Sequence, residues 1–219
     1  AGFALAGVLF AAMTSGAALA EGLQTHNVVA TVHVEGGNNF HRNHGPEAMR
    51  LVGETEVVAS MTAHCQAAGP KIAAGIVNYA DLSLGAAAGE ILDAHIEAGA
   101  GRFVGVRQLT IWHDDPSVRM HLHPPRRPLG PGMMEEPGFR EGMRELAARD
   151  LAFDATVFHT QLADLAALAN ACPQTRIIVD HVGCVLRVGP NRGRDEAVFD
   201  DWKRDLGALA ALPNVTVKI

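Results

Sequence analysis

Two histidines pose the question of chemistry. His159 closes the run Ala152-Phe153-Asp154-Ala155-Thr156-Val157-Phe158, and His181 closes Arg176-Ile177-Ile178-Val179-Asp180. Each run reads as a buried strand, and Gln161 to Ala171, stopped by Cys172-Pro173, reads as a helix between them. Neutral imidazole is a ligand for a divalent ion such as zinc and carries protons near neutral pH. In a strand–helix–strand unit of a parallel sheet both strands point the same way. The spacing therefore predicts two histidines side by side at the carboxyl-end rim, where α/β proteins place metals and catalysis. By parity His159 shares a face with Val157 and Ala155, and His181 with Val179 and Ile177. Both faces read as barrel interior, and Asp180, of opposite parity, reads as a brace for the strand end.

Other candidates are weaker. His121-Leu122-His123 has the spacing of a metal-binding pair, but it precedes Pro124-Pro125 and lacks the strand that would put both rings on one face, so it is not read as a ligand pair. The three cysteines, Cys65, Cys172 and Cys184, are odd in number and show no CxxC spacing. They read as unpaired thiols of a reducing, cytoplasmic compartment, Cys184 as a small apolar filler near the rim.

The elements that must position these residues follow in order. Val28 to Glu35 is predicted as a strand, with Val28, Ala30, Val32 and Val34 toward helices and His33 and Glu35 toward the mouth. A helix runs from Gly53 to Gln66, a strand from Ile72 to Val77, a helix from Ala86 to Ala98 and a strand from Phe103 to Val106. Phe139 to Arg149 is a helix before the histidine-bearing unit; Asp195 to Ala211 is a helix after it, and Val215 to Ile219 a strand. Long loops, 36–53 and 109–138, separate the early elements and suit a functional mouth. The fold class is α/β, an incomplete TIM (β/α)8-type barrel of about six parallel strands alternating with helices.

A net charge of -6 and the absence of a basic stripe argue against nucleic acid as a partner. With 48% hydrophobic and 19% charged residues the chain suits a folded globular domain. No glycine-rich fingerprint follows a strand, so nucleotide binding has no support. Residues 1–20 form an apolar segment with Ala18-Leu19-Ala20 before Glu21, open to reading as an export signal, an anchor or a packed helix. The barrel domain is read as 21–219.

Several stretches together resemble the amidohydrolase-related family of metal-dependent hydrolases, the branch with lactonases and decarboxylases. They are Asn27-Val28-Val29-Ala30-Thr31-Val32, Gly53-Glu54-Thr55-Glu56, Ala74-Gly75-Ile76-Val77, Gly101-Arg102-Phe103-Val104-Gly105-Val106-Arg107, His159-Thr160-Gln161-Leu162, Val179-Asp180-His181-Val182-Gly183 and Val215-Thr216-Val217-Lys218. The resemblance implies a distorted TIM barrel, a divalent metal (zinc) as cofactor and a small-molecule substrate, with His159 at the strand-five and His181 at the strand-six metal position. It implies that Arg107 holds a substrate carboxylate and that Glu35 and Gln161 are rim contacts. The family's strand-one HxH pair and strand-eight aspartate have no counterpart here, so the catalytic residue is unknown and the expectation for this chain alone is weak metal binding and little turnover. Unpaired sheet edges would favour self-association.

Overall fold

The computed structural model describes residues 28–36, 41–63, 70–119 and 129–219. The apolar segment 1–20, Cys65 and His121-Leu122-His123 lie outside the described residues.

Six strands alternate with helices as the sequence predicts. They are β1 (Ala30–Val34), α1 (Val52–Met61), β2 (Lys71–Asn78), α2 (Ala88–Ala98), β3 (Phe103–Leu109), α3 (Pro137–Ala148), β4 (Ala152–Thr156), α4 (Leu162–Ala171), β5 (Arg176–Val179), α5 (Asp195–Ala210) and β6 (Val215–Val217). The strands follow one another in the sheet in chain order, and β1–β2, β3–β4, β4–β5 and β5–β6 are parallel. This is the topology of a (β/α) barrel segment. No helix among the described residues is long and apolar enough to cross a membrane.

The residues group into two compact units. The first holds β1, α1, β2, the end of α2 and the start of β3. Here the predicted facing of β1 is reversed. His33 Nε2 lies 3.1 Å from Glu54 Oε1 on α1, and Gly36 N–H donates to the same oxygen at 2.9 Å. Glu54 is buried on the helix and needs donors, so it draws His33 to the helix side. Val32, read as helix-facing, is 45% exposed and packs toward Gly75 on the other face. Arg102 clamps the end of α1, donating to Ala59 O, Thr62 Oγ1 and Ala73 O. His95 of α2 stacks on Phe103, ring centroids 4.8 Å apart.

The second unit holds the start of α2, the rest of β3 and everything after it. Its core is the apolar side of β4 and β5 under α3 and α4: Phe153, Ile177, Leu146, Leu162, Leu165 and Leu168 are buried. Phe153 meets Phe139 of α3 edge-on, centroids 5.6 Å apart. The parity of Phe153, Ala155 and Val157 is therefore the helix side. The reading of Ala155 and Val157 as barrel interior is corrected: bulky apolar residues go where a helix covers them, and the polar parity, Asp154 and Thr156, takes the opposite face. Gly138 and Gly142 let α3 press against the 3-10 segment Leu82–Ala87; a Cβ on Gly142 would lie 2.1 Å from Leu82 O.

Candidate active site

The carboxyl ends of β3 to β6 gather the chemistry of the second unit. Strand β4 ends at Thr156, earlier than predicted, and His159 opens a 3-10 turn, His159–Gln161. His159 is buried, and its Nδ1 accepts the Leu186 N–H at 3.2 Å. With Nδ1 accepting, the ring proton of the neutral form sits on Nε2. Burial lowers the imidazole pKa, the carboxylates of Asp201 and Asp205 oppose that, and His113 adds to it. The ring is thus held neutral, as a donor through Nε2.

His181 follows β5 and is exposed. Its backbone is left-handed (φ 49°), and Val182 (48°), Gly183 (81°) and Cys184 (36°) continue the same hand. Four such residues in a row are strained for all but the glycine. The turn is held from several sides: Trp202 Nε1 donates to Val182 O at 2.7 Å, Cys184 N–H to His181 O at 3.0 Å and Val182 N–H to Lys218 O at 3.3 Å.

Gln161 is buried, and its amide is spent on backbone. Oε1 accepts from Trp112 N–H (2.8 Å) and Phe158 N–H (3.3 Å), while Nε2 donates to Thr110 O (3.0 Å). It ties the segment after β3 to the segment after β4. Arg107 on β3 is half-buried and paired in register with Asp154. Glu35 lies at the end of β1 in the first unit, buried, with its N–H donating to Val77 O.

A charged cluster missed by the sequence reading occupies the polar face. Lys218 Nζ lies 2.6 Å from Asp154 Oδ2 and also contacts Asp180, while Thr156 Oγ1 donates to Asp180 Oδ2 at 2.7 Å. Both carboxylates are at least 98% buried by their exposures of 2% and 0%. Burial raises the Asp154 carboxyl; Lys218, then Arg107, pull it back, and Asp180 adds to the rise. Burial would depress the Lys218 ammonium, but its bonds to Asp154 and Asp180 outweigh that and leave it raised. Asp154 Oδ1 is buried without a hydrogen-bond partner. The available signal was alternation: Asp154-x-Thr156 and Thr216-x-Lys218 put polar residues two apart in the two strand segments that flank β5.

A cleft of about 230 Å3 opens beside His159, walled by Asn191, Arg194, Asp201, Arg204 and Asp205 among others. As for a metal, no group of three or more His, Cys, Asp or Glu among the described residues is placed to hold one. His159 and His181 are two donors, and the first has its Nδ1 engaged. The described donor set does not fit a zinc site of at least three protein ligands.

Known proteins share this architecture. Over 145 residues the chain is 32% identical to the uncharacterized protein y4mH of Sinorhizobium fredii, which covers 66% of this chain and 43% of that protein. It is 35% identical over 86 residues to an L-fucono-1,5-lactonase of Burkholderia ambifaria, covering 39% of this chain and 27% of that one. The chain thus spans less than half the length of these curated relatives. A crystal structure of an amidohydrolase from Burkholderia multivorans with bound zinc superposes with a TM-score of 0.60 at 21% identity, over 92% of this chain and 57% of that one. The likeness is one of fold. The sequence model of the amidohydrolase family matches residues 40–219, most of the chain, and the protein belongs to that family.

Proposed function

We propose that this chain is part of a hydrolase that opens a lactone, or a comparable small carbonyl compound, carrying a carboxylate or hydroxyl groups. The observation that carries the reading is the charged Asp154–Lys218–Asp180 face in register with Arg107, at strand ends that also bring His159 and His181. The lactonase named among the relatives supports the choice of substrate.

In this reading Arg107 holds the substrate carboxylate through its planar fork. His159 donates through Nε2 to a carbonyl or ring oxygen, and His181 offers an exposed imidazole at the same rim. Gln161 positions the 110–112 backbone by its buried amide, and Glu35 is proposed as a contact at the end of its own strand. A divalent metal, zinc by resemblance, would polarise a carbonyl and acidify a water, but the described residues do not complete its ligand set and no step is assigned to it. No base is assigned among them either.

The test is acid release from a panel of five- and six-membered sugar lactones by the full-length protein, with and without added zinc. Turnover is expected, with kcat/KM lowered by about tenfold or more in Arg107→Met and His159→Ala, the loss of one charge-assisted contact. A panel without acid release above buffer in either condition would overturn the reading.

A further inference from the structure

Strand alternation alone would not bring His181 to the surface. In the register of β4 and β5, Ile177 lies opposite Phe153 and Val179 opposite Ala155. Parallel partners share a face, and here it is the helix side, where Ile177 and Val179 are buried. Two residues after Val179, the same alternation would send His181 to that side, beneath the helices. His181 is exposed instead. Strand β5 stops at Val179, and the left-handed backbone of His181, Val182, Gly183 and Cys184 takes over. The direction of the imidazole is therefore set by this turn and not by the strand.

A left-handed run of this kind persists only where its surroundings over-determine it. Two of the bonds that hold it are between backbone groups: Cys184 N–H to His181 O at 3.0 Å and Val182 N–H to Lys218 O at 3.3 Å. The third and shortest comes from a side chain, Trp202 Nε1 to Val182 O at 2.7 Å. That carbonyl belongs to the Val182–Gly183 peptide, at the centre of the strained run. The indole can meet it only while the peptide keeps its orientation. Trp202 is half-buried, and the ring beside it, Phe199, is exposed, their centroids 5.5 Å apart. A phenyl ring would serve that packing; the N–H is the part a phenyl ring lacks.

We infer that Trp202 is a positioning residue: its indole N–H holds the 181–184 turn in the left-handed form that presents His181 at the rim. What His181 does there rests on the hydrolase reading; the holding of the turn does not. Glycine takes left-handed backbone without steric cost, so Val182→Gly removes strain that the indole opposes. A chain that has lost the indole bond should therefore regain the turn when Val182 is glycine. Trp202 acting through packing alone would give no such rescue.

The readout is the imidazole Cε1–H signal of His181 in NMR spectra of the full-length protein at one pH, assigned by its loss in His181→Gln. One narrow signal is expected in the wild type, several or a broadened one in Trp202→Phe, and one narrow signal again in the Trp202→Phe, Val182→Gly double variant. The wild-type Trp202 indole proton should exchange with solvent about fivefold or more slower than a free indole. With a lactone that the wild type opens, kcat should fall about fivefold in Trp202→Phe and recover in the double variant. A wild type that opens no lactone defeats the hydrolase reading and leaves the His181 signal to decide this one. The proposal is overturned by a narrow, single His181 signal in Trp202→Phe, or by an indole proton exchanging at the free rate. If Trp202→Phe does not fold alone, a folded double variant with one narrow signal supports the proposal. A double variant that does not fold, or that shows several His181 signals, overturns it.

Discussion

Lys218 is the side chain on which the polar face depends. It stands between two buried carboxylates, 2.6 Å from one and in contact with the other. Replacing it with methionine leaves both without their cation, and breaking a buried pair in this way costs about 3–5 kcal/mol. In Lys218→Met the loss is expected to shrink as pH falls, because the Asp154 carboxyl, already raised by burial, is then neutralised by a proton; denaturant titrations at pH 7 and pH 4 check it. The wild-type Asp154 carboxyl is raised, so its own contribution runs the same way, present at low pH and lost as pH rises through its folded value. Val182 carries strain of a different kind, a β-branched residue at φ 48°. Val182→Gly is expected to raise stability by about 1 kcal/mol, read as a higher denaturation midpoint. The sequence showed His159 and His181 at strand ends because residue type and strand pattern are local facts. It hid this strain and the Asp154–Lys218 pairing: the first is set by the fold closing around the turn, the second joins positions 64 apart.

Among the helices, closeness of approach decides which changes are tolerated. Gly142 on α3 sits against Leu82 O with no room for a methyl group, while Gly207 on α5 faces open space. Gly142→Ala should cost about 1–3 kcal/mol or more from overpacking; Gly207→Ala should gain up to about 1 kcal/mol from helix propensity. Thermal midpoints of the two variants moving in opposite directions would confirm the contrast. In the other unit α1 and α2 are joined through a buried polar chain: Asn78 Nδ2 donates to Thr55 Oγ1, whose hydroxyl donates to His95 Nδ1, and His95 Nε2 donates to Tyr79 O. That pattern requires neutral imidazole, and burial lowers the His95 pKa to about 4, with the Tyr79 carbonyl opposing. A histidine normally near 6.5 takes up a proton on unfolding, so stability rises with pH between about 4 and 6.5 and is lost on acidification, by on the order of 3 kcal/mol. Denaturation at pH 7 and pH 5 should show this dependence in the wild type and its flattening in His95→Gln. Most of the elements were legible from apolar spacing, as in α2, α3 and α5, but α1 buries Glu54 and Thr55 beside Val52 and leaves Met61 exposed. Which face of a strand turns to the helices was not legible. For β1 it hung on Glu54, a charge buried on α1 that drew His33 toward it, and for β4 on Phe153, which filled the space beneath Phe139.

At the scale of the molecule, the sheet has a simple order: each strand lies beside the strand that precedes it in the chain. The intervening helices make each crossover a local excursion. A chain that leaves the ribosome amino end first, at about 5–20 residues per second, therefore finishes each strand when its partner is already made. Among these six strands no inner edge waits for a strand beyond the next one in the chain. Growth by accretion from β1 toward β6 follows from that order, and synthesis arrested after successive strands should show protection from protease advancing one strand–helix unit at a time.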